Sequence, residues 1–190
     1  MTNYISNTNN NKLSAERPEG TKISTIVITY TVTEGDINKA VTTMFERGTS
    51  VHYTIKTDGF QDQHHSESQK AFYADASDWK GIYGVNDYGI GIMLVNDAKS
   101  PFTDAQIDKT IALINDIQTR HTTTMEIVGL GEVNNKHIAP GAFFPWAKLA
   151  DAGIGKSVVL PENIDRTCKI QVGDNGENVL ALKQKLQSHG

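Results

Sequence analysis

Two kinds of apolar pattern alternate along the first 150 positions of the chain. Residues 23–30, 51–56 and 90–95 form short runs rich in β-branched and apolar side chains, which predict strands buried within a sheet. Residues 36–47 instead place apolar side chains at helical spacing and end at Gly48, a residue that commonly closes a helix. The alternation predicts an α/β fold, a central mainly mixed β-sheet flanked by helices.

The strongest helical signal begins at Thr103. Thr103 and Gln106 have the spacing of a capping box, in which each side chain satisfies a backbone N–H of the other residue. The following isoleucines recur on one helical face and predict a stripe packed into the core: Ile107, Ile111, Ile114 and Ile117. A last short helix is predicted over residues 144–149, with Pro145 in its first turn.

The composition changes at both ends of this region. Residues 1–20 are polar and rich in asparagine, which predicts a flexible arm and shows none of the regions of a secretory signal. The sequence therefore predicts one domain over residues 21–155, followed by a linker over 156–169 and a separate short segment over 170–190. The segment 170–190 contains one amphipathic stretch, too little to bury its own apolar face.

Charge and hydropathy exclude two classes of partner. The net charge of −4 argues against general binding to nucleic acid, which requires a basic surface. The sequence has no run of about eighteen apolar residues, so no membrane-spanning helix is predicted.

Four ordered blocks carry a family resemblance. They are residues 26–31 (Ile-Val-Ile-Thr-Tyr-Thr), 50–59 (Ser-Val-His-Tyr-Thr-Ile followed by Asp-Gly), 71–96 and 129–146. Together they resemble the zinc-dependent N-acetylmuramoyl-L-alanine amidases of the phage-lysozyme-like and peptidoglycan-recognition type, over about residues 20–150. The resemblance implies the fold of those enzymes and the bond between muramic acid and the stem peptide as the family's substrate.

The resemblance also identifies the positions that would carry catalysis. Thr29, Leu130 and Ala139 stand where the family has its zinc ligands, Met93 where it has an acidic residue, and His137 where it has a basic one. Leucine and alanine have no lone pair for a metal, a neutral threonine hydroxyl is a poor zinc ligand, and a thioether cannot take a proton at neutral pH. We therefore expect neither a zinc cofactor nor amidase catalysis.

A relocated metal site is the first alternative, and it would make the chain an active amidase. Its candidate ligands are the remaining histidines and two glutamates: His52, His64, His65, Glu67, His121, Glu132 and His137. The adjacent His64 and His65 would point to opposite faces of an extended segment, which disfavours joint binding of one ion. His52 is interpreted as a hydrogen-bonded packing residue of its strand.

The hypothesis drawn from the resemblance is a protein that binds peptidoglycan or muropeptide without cleaving it. The expected ligand-binding residues lie in the matched blocks: Tyr30, Tyr73, Trp79, Asn86, Lys136 and His137. Segment 170–190 resembles the opening of a three-helix peptidoglycan-binding domain, and the family points to the bacterial cell envelope. A second alternative is a scaffold that binds a protein partner, because Leu130, Ala139 and Met93 would make the former zinc pocket apolar.

Overall fold

The computed structural model describes residues 13–32, 42–44, 46–121 and 124–156. Within them lie nine strands and four helices that we number in chain order. The strands are β1 Ser14–Glu16, β2 Thr25–Tyr30, β3 Tyr53–Ile55, β4 Gln61–Gln63, β5 Gln69–Ala71, β6 Asp78–Trp79, β7 Ile82–Tyr83, β8 Gly89–Leu94 and β9 Glu126–Gly129. The helices are α1 Val85–Tyr88, α2 Asp104–His121, α3 Leu130–Val133 and α4 Trp146–Asp151, and residues 42–44 and 46 are also helical.

Five strands form the central sheet in the order β4-β3-β8-β2-β9. The pairs β3–β8, β8–β2 and β2–β9 are parallel, whereas β4 pairs with β3 in antiparallel fashion. The sheet is therefore mixed and flanked by helices, which confirms the predicted fold class. Two small two-stranded sheets, β1–β5 and β6–β7, lie outside it.

The two faces of the central sheet bury different sets of side chains. One face carries Ile26, Ile28, Ile90 and Ile92, which pack in one core with the apolar side of α2. The opposite face carries shorter or more polar side chains of the same strands, and Val27, Met93 and Val128 belong to a second, smaller core. Because side chains alternate along a strand, each buried strand supplies both cores.

Most of the predicted elements are present with shifted ends. The Thr103–Gln106 capping box is confirmed, since the Gln106 N–H donates to Thr103 Oγ1 (3.1 Å) and the Thr103 N–H to Gln106 Oε1 (3.2 Å). In the predicted stripe Ile107, Ile114 and Ile117 are buried and Ile111 is partly buried. The last helix begins at Trp146, two residues later than predicted, and the helix predicted over 36–47 lies partly outside the described residues.

The predicted flexible arm over residues 1–20 is too long. Residues 14–16 form β1, and the Arg17 guanidinium behind it donates to four backbone carbonyls, those of Glu67, Asn86, Asp87 and Gly89. The hydrophobic pattern gave no sign of this, because the segment is held by backbone pairing and one polar side chain. Residues 1–12 lie outside the described residues.

The chain divides into two compact units, Met1–Ser157 and Val158–Gly190. The predicted linker beyond residue 156 and the predicted segment 170–190 lie outside the described residues. Among the helices that the structure describes, none is long and apolar enough to cross a membrane.

Candidate functional site

The register of two central strands brings the first pair of site positions together. Thr29 on β2 is the parallel partner of Met93 on β8, so both side chains point to the same face of the sheet. This is the face of the smaller core, away from α2. Thr29 is 6% exposed and Met93 is 4% exposed, and both lie at the floor of a cavity.

A tight turn after β9 brings the remaining positions to the same place. β9 pairs Gly129 with Ile28, so the next residue, Leu130, begins α3 beside Thr29. The Gly131 N–H then donates to Ala139 O at 2.8 Å. A Cβ on Gly129 would lie 2.6 Å from Pro140 Cδ. The chain therefore folds back on α3 only because glycine lets the two segments approach closely.

The cavity between these segments has a volume of about 430 Å³. Its floor is formed by the two central strands, and its walls by α3, residues 43–44 and 47–51, and the loops after β2 and β5. Four of the family positions line it, Thr29, Met93, Leu130 and His137, whereas Ala139 is buried in the adjoining apolar core. The other lining residues are Tyr30, Thr31, Val32, Thr43, Met44, Arg47, Thr49, Ser50, Val51, Tyr73 and Asp75.

Two charged side chains and one histidine line the cavity. Arg47 contributes the cation and Asp75 the carboxylate, and His137 Nε2 lies 3.8 Å from Asp75 Oδ2. The Asp75 side chain is 67% exposed and that of His137 is 38% exposed. The remaining lining residues are hydroxyl-bearing or apolar, so the cavity has a mixed wall with charge placed at accessible positions.

The three residues that the family resemblance assigns to the metal positions do not fit a zinc ion. Of Thr29, Leu130 and Ala139, only threonine carries an oxygen, and a catalytic zinc requires three ligands from histidine, cysteine or carboxylate. Leu130 is 4% exposed and packs in the smaller core with Ala139 and Met93, so this corner of the cavity is apolar.

Three of the six residues predicted to bind ligand line the cavity, namely Tyr30, Tyr73 and His137. Tyr73 is only 6% exposed, and its ring lies so close to β8 that a Cβ on Gly91 would be 2.7 Å from it. Its hydroxyl has no hydrogen-bond partner among the described residues, and burial raises the pKa of Tyr73. Tyr30 and His137 are thus the members of this group with accessible surface.

The other three predicted residues lie elsewhere. Trp79 is 5% exposed in the smaller core, and its Nε1 donates to Glu126 Oε2 at 3.4 Å. The Asn86 side-chain oxygen accepts the N–H groups of Tyr73 (3.3 Å) and Ala74 (3.1 Å). Lys136 is exposed and outside the cavity lining. Asn86 therefore supports the cavity wall at Tyr73, and the polar atoms of both Trp79 and Asn86 are used within the protein.

His52 has the packing role interpreted from the sequence. It is fully buried, its Nδ1 accepts the Gly91 N–H at 3.0 Å, and its Nε2 is 3.0 Å from Gln69 O. Nε2 therefore carries the proton. Burial lowers the pKa of His52 to about 3, so the ring stays neutral.

The candidates for a relocated metal site do not converge. No group of three histidine, cysteine, aspartate or glutamate side chains among the described residues could hold an ion. Glu67 belongs to an ion-pair cluster with Arg120 and His121 and accepts the Tyr53 hydroxyl at 2.5 Å. Burial opposes ionisation of Glu67, but the hydrogen bonds from Arg120, Tyr53 and His121 lower its pKa.

Two residues with accessible charge in the cavity were not predicted as site residues. Arg47 ends the helix predicted over residues 36–47, and Asp75 lies in the matched block 71–96 without an assigned role. The signal for Asp75 was its charge within a matched block. For Arg47 the sequence contains no comparable signal.

The structure thus has a mixed sheet with a long helix on one face and a ligand-sized cavity on the other. The family profile described as N-acetylmuramoyl-L-alanine amidase matches residues 19–142. The chain belongs to this amidase family.

Individual relatives agree with this assignment. The chain is 43% identical over 199 residues to RC0497 of Rickettsia conorii, whose own assignment as an N-acetylmuramoyl-L-alanine amidase is provisional; the match covers 99% of this chain and 74% of that protein. It is 32% identical over 152 residues to the amidase AmiD of Escherichia coli, covering 70% of this chain and 54% of AmiD. The chain thus spans about half the length of AmiD.

Two solved structures are similar in fold and carry ligands. AmiD of Escherichia coli in complex with its substrate anhydro-N-acetylmuramic acid-L-Ala-D-gamma-Glu-L-Lys superposes with a TM-score of 0.65 at 29% identity, covering 74% of this chain and 62% of that one. AmpDh3 of Pseudomonas aeruginosa in complex with anhydromuramic pentapeptide gives a TM-score of 0.65 at 26% identity, covering 73% and 62%.

Proposed function

We propose that this protein binds the muropeptide unit of peptidoglycan in the cavity and does not hydrolyse it. The observation that carries the proposal is the cavity of about 430 Å³, whose floor bears Thr29 and Met93 and whose wall bears Leu130. The family resemblance assigns these three residues to catalytic positions. A volume of this size falls within the usual range of about 300–1,000 Å³ for small-molecule sites. Recognition needs only the walls of such a cavity, whereas hydrolysis needs an activated water.

The ligands of the two similar structures support the choice of muropeptide. AmiD and AmpDh3 were each solved with an anhydromuramyl peptide. A muropeptide carries apolar, hydroxyl and charged groups together, and the cavity wall combines the same kinds of group. Tyr30, Arg47 and His137 are the side chains that we assign to direct contact.

Catalysis is disfavoured by the chemistry of the floor. A metal-activated water lowers the barrier to amide hydrolysis, and neither a ligand set nor a proton acceptor stands at the matching positions. The alternative of an active amidase requires a metal site built from other residues, and no such cluster lies among the described ones. The alternative of a protein-binding scaffold predicts no affinity for muropeptide.

The test is a binding and turnover measurement on the full chain with anhydro-N-acetylmuramic acid-L-Ala-D-gamma-Glu-L-Lys. Calorimetry should give a dissociation constant that a chelator leaves unchanged. Mass spectrometry should find the amide bond between muramic acid and L-Ala intact. Tyr30→Ala should weaken binding, because Tyr30 lines the cavity, whereas the matched change Tyr83→Ala, 83% exposed and outside the cavity lining, should not. Turnover that a chelator abolishes would establish a rebuilt metal site, and absence of binding would favour the scaffold.

A further inference from the structure

The backbone of Asp75 adopts a conformation that its side chain does not require. Its φ is +48°, in the left-handed region that aspartate tolerates and glycine occupies without strain. Only its backbone oxygen takes part in a local hydrogen bond, accepting Ser77 Oγ at 3.3 Å. No described residue donates a hydrogen bond to its carboxylate, so the side chain contributes nothing visible to the turn.

The Asp75 carboxylate instead faces a ligand-sized space. It lines the cavity, its side chain is 67% exposed, and His137 Nε2 lies 3.8 Å from Oδ2, beyond hydrogen-bond distance. Among the described residues that line the cavity it is the one carboxylate, and Arg47 is the one permanently charged cation. A positively charged group can therefore reach Asp75 without displacing an existing hydrogen bond.

We propose that Asp75 recognises a primary ammonium group of the bound ligand. The cavity then prefers stem peptides whose diamino residue keeps a free side-chain amine over peptides in which that amine is acylated. This inference rests on the proposed function. The peptide bound to AmiD ends in L-Lys, so a ligand of this class carries the required ammonium.

The charges on such a ligand match the charges in the cavity. A stem peptide ending in lysine carries carboxylates as well as one ammonium, and Arg47 provides the complementary cation for a carboxylate. Acylation of the amine, as in a cross-link through that nitrogen, removes the positive charge. Asp75 would then face a neutral amide and gain no ion pair.

The expected selectivity is modest because Asp75 is accessible to water. Exposed ion pairs contribute about 0.2–1 kcal/mol, which corresponds to at most about a fivefold change in affinity. We therefore expect the free-amine ligand to bind about two- to fivefold more tightly than the acylated ligand.

The experiment compares two probes on the full chain: N-acetylmuramyl-L-Ala-D-γ-Glu-L-Lys and the same compound acetylated on the lysine side chain. Asp75→Asn removes the charge with little change in volume and keeps a residue that tolerates the left-handed backbone. Asp75→Gly removes the carboxylate and also relieves the backbone. Asp108→Asn is the matched control, since Asp108 is exposed on α2 and outside the cavity lining.

The wild-type protein and Asp108→Asn should show the two- to fivefold preference, and both Asp75 variants should bind the two probes equally. The loss should come from weaker binding of the free-amine probe, with the acetylated probe unchanged. Equal affinities in the wild-type protein, or a preference that survives in both Asp75 variants, would overturn the role of Asp75 while leaving muropeptide binding intact. Failure of both probes to bind the wild-type protein would overturn the proposed function and this inference together.

Discussion

Thr29, Leu130 and Ala139 are the residues that the family resemblance assigns to the three metal-ligand positions. The backbone still brings two of them to one cavity and the third to its edge, through the β2–β9 register and the Gly131–Ala139 hydrogen bond. Only the donor atoms differ. Because metal binding needs lone pairs at those atoms, the consequence is testable at single positions.

Added zinc should leave the melting temperature of the wild-type protein unchanged. A ligand that binds only the native state raises stability by mass action, by about 2.7 kcal/mol at one hundred times its dissociation constant. For a protein of this size that corresponds to roughly 5–10 °C. Thr29→His combined with Leu130→His and Ala139→Asp should acquire such a shift, measured by differential scanning calorimetry.

The single variant Leu130→His is the control. Added zinc should not raise its melting temperature, because one histidine does not complete a three-ligand zinc site. Stoichiometric zinc in the wild-type protein, removed by a chelator and restored by addition, would contradict the assignment of an empty ligand set.

His52 should make the protein less stable in mild acid. Its pKa is about 3 in the folded protein and about 6.5 in the unfolded chain, so between these values only the unfolded chain takes up the proton. The free energy of unfolding should therefore fall as the pH drops from 6.5 to 5, with His52 contributing roughly 1–2 kcal/mol. Urea denaturation at the two pH values measures this.

His52→Gln should show a smaller loss between pH 6.5 and pH 5, although burial also lowers the pKa of His64 to about 4 and some slope remains. An unchanged slope in His52→Gln would mean that another group carries the dependence.

At the scale of elements, the first strand is held by its pairing with β5 and by one side chain that follows it. β1 has three residues, and the Arg17 guanidinium behind it donates to four carbonyls: one just before β5, two in α1 and one at the start of β8. Such a contact fixes the edge of the small β1–β5 sheet against the rest of the domain. The start of this segment also lies beside the cavity, because Ser50 of the cavity wall donates to Leu13 O at 2.5 Å.

Arg17→Met should destabilise the protein by about 2–4 kcal/mol, because it leaves several partly buried carbonyls without a donor. Chemical denaturation measures the change, and Lys22→Met, at an exposed position, should have little effect. A loss for Arg17→Met no larger than that of the control would show that β1 contributes little to the stability of the fold.

At the scale of the whole molecule, the cavity lies within one compact unit, Met1–Ser157. A chain that ends at Ser157 should therefore bind the soluble muropeptide with the affinity of the full chain, within about twofold. Calorimetry on the two proteins measures this affinity, and co-sedimentation with purified peptidoglycan measures whether each protein binds the polymer. Loss of muropeptide binding in the shorter chain would mean that residues beyond 157 complete the site.

The sequence alone determined the larger features of the fold. Buried strands, the capping box at Thr103 and the isoleucine stripe of α2 are local patterns, and each follows from side-chain periodicity within one element. The four motif blocks likewise indicated the amidase family, which the family profile confirms over residues 19–142. These properties need no knowledge of which distant segments meet.

Tertiary structure decided which residues share the cavity. Trp79 and Asn86 lie in matched blocks, yet their polar atoms are used inside the protein, and whether a side chain faces a core or a cavity depends on the elements packed against it. Asp75 and Arg47 come from segments far apart in the chain and line the same space only after the sheet has formed. Arg17 shows the same limit, because its four carbonyl partners lie 50 to 72 residues away and no local pattern encodes them.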